Sequence, residues 1–129
     1  MSDLFKRAHA RFACDLPVIV FTGPTGGLKL GPARLLDLSL SGGYLCLAGE
    51  LKLGGAYRLR LEWGGEFLDL PGRVVREGPR SPKDPKARHF GLVFTLSRDQ
   101  EKALLRVIDQ VRRAPEKPGE DHFLRNYWG

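Results

Sequence analysis

The arrangement of periodic segments constrains the fold more than any other feature of this chain. Short runs in which apolar and polar residues alternate extend to about residue 94, and turn residues separate them. Such alternation is typical of half-buried strands, because successive side chains of a strand point to opposite faces. A single segment of helical period follows. The pattern predicts a mainly β fold, a six-stranded antiparallel β-barrel with a C-terminal α-helix packed on it.

The predicted helix runs from about Arg98 to Arg113. Ser97 and Gln100 have the spacing of a capping box, which favours a helix start at this point. Four apolar residues recur at helical spacing and predict the face that packs on the barrel: Leu104, Leu105, Ile108 and Val111.

The segment Leu36–Ser41 alternates strictly and therefore predicts a strand with two unlike faces. We expect one face to enter the core: Leu36, Leu38 and Leu40. We expect the other to form an exposed polar ridge: Asp37, Ser39 and Ser41. Gly42 and Gly43 follow, where a bend or a close approach of a ligand to the backbone is possible.

The later strands are marked by their turns. Gly64-Gly65 predicts a two-residue hairpin. The strand that follows, from Glu66 to Glu77, is expected to be interrupted near Pro71-Gly72. Proline and charge between Gly78 and Lys86 predict an exposed loop.

Length and charge set limits on the function. The 129 residues are most simply one domain: a flexible arm (1–12), a barrel with its helix (13–113) and a polar tail (114–129). The net charge of +6 favours anionic partners. No apolar run is long enough to cross a membrane, and the start lacks the apolar stretch of a secretory signal, so we expect a cytoplasmic protein. Cys14 and Cys46 are each expected to be a small buried residue rather than half of a disulfide.

Two motifs carry groups suited to an anionic guanine nucleotide. Arg7-Ala8-His9-Ala10-Arg11 places two guanidinium groups four residues apart, and arginine both pairs with phosphate and stacks on bases. Asp37-Leu38-Ser39-Leu40-Ser41-Gly42 combines a carboxylate, hydroxyls and a glycine. A carboxylate offers two acceptors to the N–H donors of guanine.

The chain resembles the PilZ domain family. Arg7 and Arg11 match its RxxxR motif, and Asp37, Ser39 and Gly42 match its (D/N)xSxxG motif. The segment Gly91–Phe94 and the closing helix are also similar to the family, and the likeness extends over roughly residues 5–113. The resemblance implies a six-stranded barrel that binds the bacterial second messenger cyclic di-GMP through both motifs.

The site that the resemblance implies is a clamp between the arm and a strand. Its expected ligand contacts are Arg7, Arg11, Asp37, Ser39, Gly42 and Gly43. Further contacts are expected from Lys6, His9 and Ser41. In the family, the residue before the first motif arginine influences whether one ligand or a stacked pair binds, and Lys6 stands there. Ligand binding is expected to order the arm and to change a surface that an unidentified downstream protein recognises, in motility, adhesion or polysaccharide systems.

Other functions remain open at this point. No nucleophile stands beside a base and no residues have metal-ligand spacing, so we expect neither an enzyme nor a metal protein, and no cofactor. One alternative is a PilZ-like domain that binds only proteins. Another is a basic barrel that binds nucleic acid, which is disfavoured here because the strand aromatics follow the apolar phase of their strands.

Overall fold

The computed structural model describes residues 11–23 and 26–113. Six strands precede one helix, with these bounds: β1 (Phe12–Thr22), β2 (Lys29–Leu38), β3 (Gly42–Ala48), β4 (Ala56–Trp63), β5 (Glu66–Glu77), β6 (Ala87–Phe94) and α1 (Arg98–Arg113). The strands close into a barrel in the order β1-β2-β3-β6-β5-β4, and all neighbours are antiparallel. The predicted fold class is confirmed. Most of the predicted arm and all of the predicted tail lie outside the described residues.

Leucine dominates the interior of the barrel. The largest completely enclosed side chains of the strands include Leu35, Leu38, Leu45, Leu59, Leu61, Leu70 and Phe90. Helix α1 contributes Leu104, Val107 and Ile108 to the same core, and Val111 packs at its margin. The predicted apolar face is therefore largely right, although Val107 packs in the core and Leu105 is only half-buried. No helix of the described residues has the length and apolar character that a membrane span requires.

The start of α1 is held as its capping box predicts. The backbone N–H of Ser97 donates to Gln100 Oε1 (2.8 Å), and the N–H of Gln100 donates to Ser97 Oγ (3.2 Å). These two bonds satisfy N–H groups that a helix start otherwise leaves without partners. Near the C-terminal end of α1, Trp63 Nε1 of β4 donates a hydrogen bond to Gln110 Oε1.

Among the described residues, the strand pairing shifts at four points, two of which lie between β1 and β2. The other two are β-bulges in β2 and β5 that reverse the alternation of those strands. The pairing of β2 with β3 shifts between Leu35 and Asp37, and that of β5 with β6 shifts between Val74 and Arg76. A bulge adds one residue to a strand and so changes which face the next side chain occupies. Without them, Asp37 and Arg76 would share the core-facing phase of the buried residues Leu35 and Val74.

The predicted faces of Leu36–Ser41 are therefore wrong in part. The bulge sends Leu35 into the core and leaves Leu36 buried outside the core cluster. Strand β2 ends at Leu38, and the three residues after it form the turn to β3. The prediction that Ser39 lies on an exposed ridge is wrong, because its side chain is only 2% exposed.

The buried hydroxyl of Ser39 closes the turn between β2 and β3. Its Oγ accepts from the backbone N–H groups of Ser41 (3.1 Å) and Gly42 (3.2 Å). The backbone N–H of Ser39 donates to the carbonyl of Gly42 (2.9 Å). Gly42 then pairs with Val93 of β6, so the turn fixes where β3 meets β6.

Strand β5 is continuous, so the interruption expected near Pro71-Gly72 does not occur. The carbonyl of Pro71 accepts from Thr95 N–H (2.8 Å), beyond the last β5–β6 pair of Gly72 with Phe94. Pro71 thus lies at the end of the β5–β6 pairing, where the N–H that it lacks does not interrupt the run of ladder bonds. The Gly64-Gly65 hairpin and the loop before β6 are as predicted, and both hairpin glycines have positive φ.

The two cysteines are free, as expected. Cys14 is buried and Cys46 is half-buried. The thiol of Cys14 donates to the carbonyl of Leu35 (3.2 Å). Burial, followed by the charges of Asp37 and Asp15, raises the pKa of Cys14 to about 12. This thiol therefore stays protonated and acts as a small packing group.

Gly42→Ala should destabilise the barrel, because a Cβ there would lie 2.1 Å from the carbonyl oxygen of Leu92. We expect the free energy of unfolding in urea to fall by about 1–3 kcal/mol. Gly49→Ala is the matched control, since its Cβ would meet only Leu47 Cδ1 at 3.8 Å, and it should change stability by less than about 0.5 kcal/mol. Equal stability of the two variants would contradict the close approach of β3 to β6.

Candidate functional site

Asp37 of the second motif lies at one end of a row of residues across the outer wall of the barrel. Asp37 of β2 is paired with Tyr44 of β3, Tyr44 with Gly91 of β6, and Gly91 with Arg76 of β5. We call these four residues the outer row. Each bulge lies directly before one end of it, at Asp37 and at Arg76. The row therefore brings a carboxylate and an aromatic ring from two consecutive strands together with a guanidinium from β5, which is distant in sequence.

Asp37 is the least satisfied polar group of the row. Its Oδ1 is buried and accepts no hydrogen bond. Burial raises the pKa of Asp37 above its ordinary value, while the charges of Arg11 and Arg76 and a hydrogen bond from the backbone of Tyr44 act in the opposite direction. Since burial is the largest of these effects, the two cations only partly compensate the carboxylate for its lost hydration. The oxygen therefore keeps an unused capacity to accept hydrogen bonds from N–H donors.

Two arginines act on this carboxylate. Arg11 lies immediately before β1, and Ala13 of that strand is paired with Asp37. Arg76 approaches from β5, with its guanidinium 5.2 Å from the centre of the Tyr44 ring. The field of both groups favours an anion beside Asp37, such as a phosphate that carries a base able to donate hydrogen bonds.

Glycines make the space in which the Tyr44 ring lies. A Cβ at Gly91 would lie 2.9 Å from Arg76 Cγ, so the glycine lets the arginine cross to Tyr44. A Cβ at Gly78 would lie 1.7 Å from the Tyr44 hydroxyl oxygen. The ring also stacks on His89, with 5.7 Å between centroids and 13° between planes. Tyr44 is thus held against the wall by contacts on several sides.

The structure separates the predicted site residues into two groups. Arg11 and Asp37 lie together on the outer wall, whereas Ser39, Gly42 and Gly43 are buried in and beside the turn. Ser41 is exposed on that turn. The predicted contacts of the arm lie outside the described residues: Lys6, Arg7 and His9.

Sequence reasoning missed Tyr44, Arg76 and His89. Tyr44 follows the second motif closely, but nothing in that motif marks it as a site residue. Arg76 and His89 come from β5 and β6, and only strand pairing places them near Asp37. Within the described part of the chain, no three His, Cys, Asp or Glu side chains come together as a metal site.

A second basic face lies on β1, β4 and β5. The guanidinium of Arg60 lies 5.1 Å from the ring centre of Phe21 and 5.6 Å from that of Phe67. Arg60 also donates to both carboxylate oxygens of Asp69 (2.9 and 3.2 Å). Phe67 is 67% exposed, so the prediction that strand aromatics follow the apolar phase is wrong for this residue. The reason for disfavouring a nucleic-acid-binding barrel is correspondingly weaker, although Asp69 neutralises part of the charge on this face.

The sequence model of the PilZ domain matches residues 5–110. No curated protein sequence matches the chain.

Three solved structures are similar in fold. The PilZ domain of CeSA from a cellulose-synthesizing bacterium is 21% identical with a TM-score of 0.61, over 81% of this chain and 99% of that one. YcgR from Escherichia coli, in complex with c-di-GMP, is 22% identical with a TM-score of 0.59, over 81% and 45%. The inhibitor of motility MotI/DgrA from Bacillus subtilis is 19% identical with a TM-score of 0.58, over 80% and 50%. The match thus spans about half the length of the last two proteins.

Asp37→Asn should not destabilise the protein at neutral pH. Because the folded-state pKa of Asp37 lies above its ordinary value of 3.8, the folded chain holds this proton more tightly than the unfolded chain does. Asp37 therefore costs stability as pH rises through the folded pKa, and the cost disappears below 3.8. In urea at pH 7, the free energy of unfolding of the variant should equal or exceed that of the wild type. In acid, this difference between the two proteins should disappear.

Asp69→Asn is the control of opposite sign. The hydrogen bond from Arg60 lowers the pKa of Asp69, so its charge contributes stability that is present above the ordinary pKa and lost in acid. Its replacement should lower stability slightly at pH 7. A clear loss of stability in Asp37→Asn at pH 7 would mean that this carboxylate has a stabilising partner.

Proposed function

The chain belongs to the PilZ domain family, and on that premise we propose that it is a cyclic di-GMP receptor whose ligand is held between the arm and the outer wall of the barrel. PilZ domains are receptor modules for cyclic di-GMP and are not enzymes. The ligand of the family is cyclic di-GMP, and membership in the family gives no indication of a metal cofactor.

The observation that carries the proposal is the buried, unpartnered Oδ1 of Asp37 in the field of Arg11. Guanine presents adjacent N1–H and N2–H donors, which a carboxylate can accept together. The guanidinium of Arg11 can bind the phosphate of the same ligand or stack on its base. A ligand with both groups meets two needs of the site at once. Its base supplies donors to Asp37, and its phosphate pairs with Arg11.

The remaining motif residues have supporting roles in this proposal. Ser39 and Gly42 hold the turn that follows β2, and Gly43 leaves room beside Leu35, because a Cβ there would lie 2.8 Å from Leu35 Cδ1. Their first function is to position Asp37 and the neighbouring backbone. Ser41, exposed on the turn, is the hydroxyl of the motif best placed for direct contact with ligand.

The arm supplies the second half of the site. We assign Arg7 to the phosphates together with Arg11, and Lys6 and His9 to the margin of the ligand. Ordering a residue costs about 1–2 kcal/mol, and a hydrogen bond to a charged group contributes about 1.5–3 kcal/mol. We expect an affinity in the micromolar range, which corresponds to about −8 kcal/mol. The ordered arm would present a new surface to a downstream protein in the cytoplasm, in a motility, adhesion or polysaccharide system.

Titration calorimetry with cyclic di-GMP tests the ligand directly and also gives its stoichiometry. Arg11→Ala should weaken binding by about 1.5–3 kcal/mol, which is roughly ten- to hundredfold. Arg112→Ala removes the same charge from an exposed position on α1 and should bind as the wild type does.

The outcome separates the alternatives. No heat at high ligand concentration would favour a PilZ-like domain that binds only proteins. Equal affinity of Arg11→Ala and wild type would exclude the proposed role of Arg11. Tight binding of generic oligonucleotides with a steep salt dependence would favour the nucleic-acid-binding barrel and its basic face around Arg60.

Hydrogen exchange tests the ordering of the arm. Saturating cyclic di-GMP should increase protection of residues 5–11, because their backbone becomes fixed over Asp37, whereas Phe12 already belongs to β1. The core residues of α1, Leu104, Val107 and Ile108, should change little and serve as an internal control. Unchanged protection of residues 5–11 in a ligand-saturated sample would rule out the proposed switch.

A further inference from the structure

A recess of about 300 Å³ adjoins Asp37 on the outer wall. Leu36, Tyr44 and His89 line it with apolar and aromatic surface, Asp37 adds its carboxylate, and Arg80 borders it from the loop before β6. This volume is at the lower end of the range for small-molecule sites, so it suits one base of a dinucleotide better than the whole ligand.

Two buried polar atoms without partners belong to residues of this recess. They are Oδ1 of Asp37 and Nδ1 of His89. A buried polar atom without a hydrogen bond costs about 1–3 kcal/mol, and such atoms are rare in folded proteins. Their presence in two residues that line the same recess indicates a ligand with two complementary groups.

We propose that His89 is a specificity-determining residue that donates a hydrogen bond from Nδ1 to O6 of the guanine whose N1–H is accepted by Asp37. The proposal rests on cyclic di-GMP being the ligand, as proposed above. Guanine carries a donor at N1 and an acceptor at O6 side by side. An acceptor on Asp37 and a donor on His89, whose Nδ1 then carries a proton, match this pair.

The same pair of protein groups opposes adenine. Adenine has an acceptor at N1 and an amino donor at the neighbouring position, which is the reverse arrangement. Bound in the same orientation, it would leave both Asp37 and His89 buried without partners. A site built to hydrogen-bond one pattern rejects the other more strongly than an apolar pocket can.

The His89 ring is held in place before any ligand arrives. It stacks on Tyr44, and its own backbone carbonyl accepts from Gly78 N–H (2.8 Å). Because Gly78 has no side chain, the Tyr44 hydroxyl can occupy the space beside it. A ring that is already oriented loses little entropy when it forms the hydrogen bond.

Two substitutions separate the nitrogen of His89 from its ring. His89→Phe keeps a planar ring against Tyr44 and removes both nitrogens. His89→Asn removes the ring but retains an N–H donor close to the position of Nδ1. Calorimetry on the full chain, with cyclic di-GMP and cyclic di-AMP as probes, should show that His89→Phe binds cyclic di-GMP about tenfold more weakly and discriminates less between the two. His89→Asn should recover part of the affinity for cyclic di-GMP and part of the discrimination against cyclic di-AMP.

The results distinguish this inference from the function on which it rests. Binding of cyclic di-GMP by His89→Phe with wild-type affinity and selectivity would overturn the role of His89 and leave the receptor function intact. No binding by the wild type would overturn both. In ¹⁵N-labelled wild type, a protonated Nδ1 whose resonance shifts on addition of cyclic di-GMP would support the proposal. An unprotonated Nδ1 in the complex would contradict it, whatever the fate of the variants.

Discussion

The two β-bulges are the constraint on which the outer wall of this barrel depends. Leu35 and Val74 are buried in the core, and strict alternation would place Asp37 and Arg76 on the same inner face. One extra residue in each strand directs these charged groups outward instead, so the apolar core and the charged row coexist on the same strands. The cost of enclosing a carboxylate and a guanidinium among leucines would be far larger than the local loss of ladder bonds.

The second motif acts through this framework in two different ways. Asp37 offers a ligand an acceptor that the protein leaves unpaired, whereas Ser39 and Gly42 satisfy the backbone of a turn and bring β3 close to β6. One short stretch of sequence therefore contains both a binding group and the device that positions it. This difference in roles is typical of a binding site, in which one polar group lacks a hydrogen-bond partner while the residues around it are held in place.

Much of the fold was predictable because its determinants are local. Residues Ser97 and Gln100 form the capping box that their spacing predicts, and Gly64-Gly65 forms the hairpin. The strand limits were less predictable. Whether a bulge forms at Leu36, and whether a proline is tolerated inside β5, depends on the pairing with the neighbouring strand. The residue pattern of one strand does not contain that information.

The sequence by itself determined the class of fold and the first half of the site. Alternation, turn residues and helical spacing are local properties, and Arg11 and Asp37 stand in recognisable motifs. Only the tertiary structure decided which residues join them. Tyr44 and Arg76 join Asp37 in the outer row because β2, β3, β6 and β5 are successive neighbours in the closed barrel. His89 of β6 lies beside the row and stacks on Tyr44. The burial that leaves Asp37 Oδ1 and His89 Nδ1 without partners likewise arises from the packing of several strands and a loop, which no single segment of the chain specifies.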